Sequence, residues 1–224
     1  KILSCYLWLH GCCLSFLMAD QIKATDLFSN WAKEGKDQRM ANTHAPSVKE
    51  MLDHVLTAIS SPFSFIDAGC GNGWVVRRVL ENDLCEYAVG VDGASTMIEQ
   101  AKLNGPKGNF VCEDLLSWIP DQKVDVVHSM EVLYYFKEPL KLLNHIFKNW
   151  LKPNGKLVSG VDFYFENEKS HSWPTDLNVH MTLLSKEEWL SLFQSAGFLD
   201  CDSWYANSSS DFYGTLCLFG HKHS

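Results

Sequence analysis

Apolar positions follow two patterns along the chain from residue 18 onward. Compact apolar runs, "FSFID", "YAVGVD", "GNFVCED", "VDVVHSM", "GKLVSGVDF" and "YGTLCLFG", read as strands covered on both faces. Between them the apolar residues recur at helical spacing. Thr25 is expected to cap a short helix carrying Phe28 and Trp31 and stopped by Gly35. A polar stretch, "KDQRMANTHAP", leads to a helix opened by Pro46, with Val48, Met51, Leu52 and Val55 on one face. Further helices run through Val76, Val79 and Leu80, from about Ser95 to Lys102, and through "PLKLLNHIFKNWL", where Leu140, Leu143, Phe147 and Trp150 share a face. Ser185 and Glu188 spell a capping box ahead of Trp189, Leu192, Phe193 and Ala196, and Gly197 stops that helix.

Strand and helix alternate, which predicts an open α/β sheet, mostly parallel, with helices on both faces. Such sheets bind ligands beyond the carboxyl ends of their strands, near the point where strand order reverses. The chemistry should therefore sit just after each strand, in "DAGCGNG", at the end of "GVDG", in "VCED" and in "SMEVLYY".

Composition narrows the choice of partner. The formal net charge is −8 and no basic stripe is present, which argues against nucleic acid. The eight cysteines form no C-x-x-C and no Cys/His cluster with zinc spacing, so no metal is expected. Several lie inside apolar runs, as free thiols of a cytoplasmic enzyme would. The first seventeen residues, "KILSCYLWLHGCCLSFL", resemble a secretory apolar segment without its charged start or cleavage site, and are short for a membrane span. "MADQIKATD" reads as an ordinary start at Met18, so residues 1–17 are treated as an apolar leader outside a single domain spanning 18–224. No membrane association is expected.

The loop "FIDAGCGNGW" poses the chemical question. Alternate glycines let backbone amides approach an anion at a helix start. A dinucleotide would place its pyrophosphate there, with Asp92 on the ribose. Asp67 at the loop mouth opposes that reading, because a carboxylate ~4–6 Å from a pyrophosphate repels it by a kcal/mol or more in intermediate dielectric. The same carboxylate attracts the ammonium and sulfonium of S-adenosylmethionine. Asp92 ends the second strand and suits ribose hydroxyls; Asp114 follows the third and suits the adenine amino group.

The ordered set "FIDAGCGNG", "VGVDGASTMIEQAK", "FVCEDLLSWIP", "VDVVHSMEVLYYFKEP" and "LKPNGKLV", across about residues 63–160, resembles the class I S-adenosylmethionine-dependent methyltransferases, in particular the broad group called type 11. The resemblance implies a Rossmann-like seven-stranded sheet, mostly parallel, with its last strand antiparallel. It implies S-adenosyl-L-methionine as cofactor, held by Asp67, Gly69, Gly71, Asp92, Gly93, Met97, Asp114, Leu115 and Met130. The domain would comprise a helical cap at 18–60, a cofactor core at 61–160, a substrate-side insertion at 161–184, and a C-terminal helix and strands at 185–224. The resemblance names no acceptor.

For the acceptor, Glu131, Tyr134 and His171 are the candidate catalytic groups. Arg39, His44, Tyr164 and Trp173 are the candidate substrate contacts. Residues 162–182 lack regular periodicity, and a long irregular connection in a compact domain is more often functional than accidental. With the stretch from Trp31 to His44 they are expected to fold over the methyl and close a small-molecule pocket. His54 and His145 read as solvated, and His128 as the edge of the core. A protein or RNA methyltransferase is the rival within the class. A non-catalytic nucleotide-binding module or an NAD-dependent dehydrogenase is the rival outside it.

Overall fold

The computed structural model describes residues 20–105 and 107–223. The apolar leader lies outside them. Helices α1 (Ala24–Lys33) and α2 (Asp37–Leu56) precede the sheet. Then follow β1 (Phe63–Ala68), α3 (Trp74–Val79), β2 (Cys85–Asp92), α4 (Ser95–Leu103), β3 (Asn109–Cys112) and β4 (Val124–Met130). The second half contains α5 (Pro139–His145), β5 (Leu151–Val161), α6 (Trp173–Asp176), α7 (Lys186–Ser195), β6 (Leu199–Ala206) and β7 (Thr215–His221).

The seven strands form one sheet in the order β3-β2-β1-β4-β5-β7-β6. The first five are mutually parallel, and β7 runs antiparallel between β5 and β6. Strand order reverses between β1 and β4, so the carboxyl ends of β1, β2 and β4 open onto one crevice. Side chains alternate between two cores. Phe63 and Phe65 of β1 pack with Val48 and Met51 of α2 and Val76 of α3. Ile66 and Ala68 face Leu142 of α5, Trp150 and Trp189 of α7. Coverage on both faces explains why β1 is buried throughout.

Four elements differ from the sequence expectation. The helix expected to open at Pro46 begins at Asp37 and carries Pro46 inside it. Pro46 removes one backbone donor, but the extra turns bury Ala41 and bring His44 to the crevice. Thr25 does not cap α1; Lys23 holds the N-cap position, and the Thr25 methyl sits against Gly93. Strand β6 lacks a compact apolar run because it is an edge strand, with Asp200, Asp202 and Ser203 interrupting "LDCDSWYA". Residues 162–182, expected to be irregular, contain α6 and a 3₁₀ turn at Glu168–Ser170. The Ser185–Glu188 capping box forms as expected, with the Glu188 N–H donating to Ser185 Oγ at 3.2 Å and the Ser185 N–H to Glu188 Oε2 at 2.8 Å.

The five cysteines among the described residues are unpaired. No described helix is long and apolar enough to cross a membrane.

Trp150 sits at the end of the helical segment after α5, fully buried, and its Nε1–H donates to the Trp118 carbonyl at 2.9 Å. Trp150→Ala should destabilise the protein by about 3–5 kcal/mol, since it opens a cavity that rigid neighbours cannot fill. Urea unfolding followed by circular dichroism reads this directly; a loss below about 1 kcal/mol would show that this layer repacks freely.

Candidate active site

The turn between β1 and α3 must reverse direction within five residues, 69–73, while leaving its amides open to the crevice. Gly69 makes this possible: its φ is +74°, and an added Cβ would lie 2.2 Å from Cγ2 of Val132. Asp92 then fixes the turn. Its Oδ2 accepts the Gly71 N–H at 2.9 Å and its Oδ1 accepts the Ala94 N–H at 2.8 Å. Burial lifts the Asp92 carboxyl above its ordinary range; the two N–H donors pull it back, and the Asp67 charge adds to the rise.

Asp67, at the end of β1, is buried and its Oδ1 lies 2.7 Å from Nδ1 of His128 on β4. An ionised Asp67 puts the proton on Nδ1. His128, expected at the edge of the core, is thus fully buried as the partner of the first strand-end acid, and its Nε2 has no hydrogen-bond partner. Asp114, after β3, is exposed at the rim and accepts the Leu116 N–H at 2.9 Å.

These residues surround one cavity of about 700 Å³. All nine positions that the resemblance singled out line it: Asp67, Gly69, Gly71, Asp92, Gly93, Met97, Asp114, Leu115 and Met130. Of the acceptor candidates, Glu131 and His44 line it as well. Six acids contribute to the wall, Asp37, Asp67, Asp92, Glu113, Asp114 and Glu131, against one lysine, Lys23, and no arginine.

Beside these acids, Glu131 follows β4 with a left-handed φ of +59°. That backbone turn aims its carboxylate toward β5. Oε2 accepts the Tyr134 hydroxyl at 2.7 Å, and Oε1 accepts the Asp162 N–H. Burial pushes the Glu131 carboxyl well up, and the nearby Asp162 charge adds to it. His44 Nε2 lies 3.9 Å from Asp162 Oδ2. Burial lowers the His44 pKa and raises that of Asp162, while their mutual attraction opposes both shifts.

Other acceptor candidates are placed elsewhere. Tyr134 is a buried core residue behind Glu131 and does not line the cavity. Arg39 is exposed on the outer face of α2. Tyr164 is fully buried and its hydroxyl donates to the Gly214 carbonyl at 2.8 Å. Trp173 stacks on Phe163, and the His171 ring meets the Phe165 carbonyl at 3.0 Å. None of these last four borders the cavity. The reason lies in what segment 162–182 packs against. It pairs with the start of the cap through Ile22 N–H to Asn178 O at 2.9 Å, and with the turn after β4 through Thr182 N–H to Tyr134 O at 2.7 Å.

The cap itself supplies the lining that sequence reasoning did not name residue by residue. Thr25 and Phe28 of α1 and Asp37 and Met40 of α2 reach the cavity. Asp37 is tied to the glycine turn by Asn72 Nδ2, which donates to its Oδ2 at 2.9 Å. A helical pattern with polar residues on its inner side, as in "DQRMANTH", was the available signal.

Comparison with known proteins bears on this geometry. The model of the family described as "Methyltransferase domain" matches residues 27–200. The chain is 24% identical over 159 residues to malonyl-[acyl-carrier protein] O-methyltransferase 1 of Ilyobacter polytropus, covering 68% of this chain and 58% of that protein. It is 29% identical over 147 residues to the tRNA U34 carboxymethyltransferase of Tolumonas auensis, covering 60% and 44%. The chain thus spans about half the length of the curated relatives it matches. Among solved structures, a Haloferax volcanii methyltransferase in complex with the Trm112 methyltransferase activator superposes with a TM-score of 0.78 at 26% identity, over 88% of this chain and 98% of that one. Glycine turn, strand-end acids, sheet order and a family match over most of the chain agree: the chain belongs to the class I S-adenosylmethionine-dependent methyltransferase family.

Proposed function

We propose that this chain transfers the methyl group of S-adenosylmethionine to an oxygen, nitrogen or carbon atom of a small molecule. The observation that carries the reading is the placement of Asp67, Asp92 and Asp114 at three successive strand ends around one cavity. A ligand carrying an ammonium, a sulfonium, two ribose hydroxyls and an adenine amino group matches such a wall. A pyrophosphate does not, since six acids and a single lysine surround it.

When bound, the cofactor supplies a methyl on a positively charged sulfur, already activated toward a lone pair. The chain's own task is mainly positioning, which can contribute on the order of 10⁵ M in effective molarity. Asp92 keeps a lone pair on each oxygen for the ribose beyond its two backbone bonds. Asp67, held in place by His128, faces the cationic part. Glu131, with its carboxyl pushed up by burial, is placed to accept a proton from a hydroxyl or ammonium acceptor. Tyr134 orients that carboxylate from behind. Helices α1 and α2 supply one wall of the crevice and limit the access of water to it.

The cavity volume of about 700 Å³ falls within the ~300–1,000 Å³ typical of small-molecule sites. Names of relatives offer both acceptor types: malonyl on a carrier protein in one, a tRNA uridine in the other. A net charge of −8 weighs against a nucleic-acid acceptor. The deciding experiment is transfer of labelled methyl from S-adenosylmethionine into fractionated cell extract. Label in the low-molecular-weight fraction is expected; label confined to RNA or protein would replace this reading with a macromolecular acceptor.

S-Adenosylmethionine and S-adenosylhomocysteine should each raise the melting temperature by mass action, and NAD should not. Calorimetric binding of NAD with no response to either methionine-derived ligand would sink the cofactor assignment.

Asp92→Ala removes both a ribose partner and the anchor of the Gly71 amide. Charge-assisted bonds contribute ~1.5–3 kcal/mol, so affinity for S-adenosylhomocysteine should fall about tenfold or more. An unchanged dissociation constant would place the ribose elsewhere.

A further inference from the structure

One cluster at the acceptor end holds more than proton transfer requires. His44 of α2, Glu131 after β4 and Asp162 after β5 each offer a ligand atom, and these atoms all lie within 4.8 Å of one another. They come from three distant parts of the chain, which is why no metal-binding spacing exists in the sequence. We propose that His44, Glu131 and Asp162 form a binding site for a divalent first-row cation, Mn²⁺ or Zn²⁺, at the acceptor end of the cavity.

Two independent features support a cation here. Asp162 is only 8% exposed, and its Oδ1 is buried with no hydrogen-bond partner. The Thr215 hydroxyl bonds Ser47 Oγ at 2.8 Å and also lies beside the Asp162 carboxyl, opposing the rise that burial causes. The other Asp162 oxygen, Oδ2, faces the His44 imidazole, so this buried carboxylate keeps lone pairs that a positive ion could use. Glu131, in turn, already has the outer supports that ligating carboxylates show. The Tyr134 hydroxyl and the Asp162 N–H each donate to one of its oxygens, leaving a lone pair on both.

The donor set selects the class of ion. Two carboxylates and one imidazole suit borderline divalent ions, whereas Mg²⁺ and Ca²⁺ prefer all-oxygen sites. Bonds of about 2.0–2.2 Å require side-chain rotations that draw the three groups together from their present spacing, the His44 Nε2 to Asp162 Oδ2 distance being 3.9 Å. Burial disfavours the ionised form of both carboxyl groups, and a shared counter-ion would relieve that. The ion's role rests on the methyl-transfer reading: beside the methyl, it would hold an acceptor through one or two of the acceptor's oxygen atoms. The existence of the site does not depend on that reading.

A second group, Asp200, His221 and His223, lies on the surface and would take the same ions. The test therefore uses the full chain carrying His221→Ala and His223→Ala, stripped with a chelator. Calorimetry with MnCl₂ and with ZnCl₂ should show one site of micromolar affinity or tighter for at least one of the two ions. Asp162→Asn and His44→Gln should each weaken it at least tenfold. No binding of either ion, or binding that both substitutions leave unchanged, overturns the proposal. A second readout does not require the variants to fold. Mn²⁺ added to the unsubstituted site should selectively broaden the proton resonances of the methionine-side methylenes of bound S-adenosylhomocysteine, leaving the adenine protons sharper. Equal broadening of both ends, or none, contradicts a site beside the sulfur. If S-adenosylhomocysteine itself does not bind, the cofactor reading fails while the calorimetric test of the metal site stands.

Discussion

The Asp92 carboxylate accepts two backbone N–H groups, one from the glycine turn after β1 and one from the start of α4. That pair of bonds couples the carboxyl ends of two adjacent parallel strands. Without it the turn, rich in glycine, would lose much of its definition, because glycine contributes no side-chain restraint and loses the most backbone entropy on ordering. The bonds also keep a charge where burial disfavours it. The cost is met by donors that the fold provides whether or not a ligand is present. The crevice is therefore pre-shaped around an anion of its own.

The cap depends on the same locus. Gly93 follows Asp92 directly, and a Cβ there would come within 2.8 Å of the Thr25 methyl of α1. Asn72, inside the glycine turn, holds Asp37 of α2. Both covering helices are thus tied to the two loops that form the cavity floor. Segment 162–182 meets the start of the cap through Ile22, whose N–H donates to the Asn178 carbonyl. The cavity wall beside Glu131 thus comes from α1 and α2, while Tyr164 and Trp173 of 162–182 are engaged in packing.

Much of this was readable from residue order. Apolar runs marked every strand except β6, and the strand-end acids marked the cavity, because parallel strands bury both faces and force chemistry to their ends. Edge strand β6 escaped because half its surface meets water and its polar residues conceal the pattern. Pro46 suggested a helix start, whereas packing of Ala41 carries the helix past it. Tyr164, His171 and Trp173 were read as pocket residues because aromatic and polar types in a long connection fit either role. Only tertiary contacts show that the Tyr164 hydroxyl is spent on Gly214 and Trp173 on Phe163. His128 reads from the sequence as the edge of the core, because nothing local signals that parallel pairing sets it beside Asp67. The cluster of His44, Glu131 and Asp162 is illegible in sequence for the same reason.

A crystal structure of the chain with S-adenosylhomocysteine tests the central claim most directly. The account predicts the ribose hydroxyls on Asp92, the amino-acid end beside Asp67 and the glycine turn, and the sulfur facing Glu131 and His44 beneath α1 and α2. A ligand bound outside this cavity, or one whose ribose lies away from Asp92 with the sulfur open to bulk solvent, would contradict it.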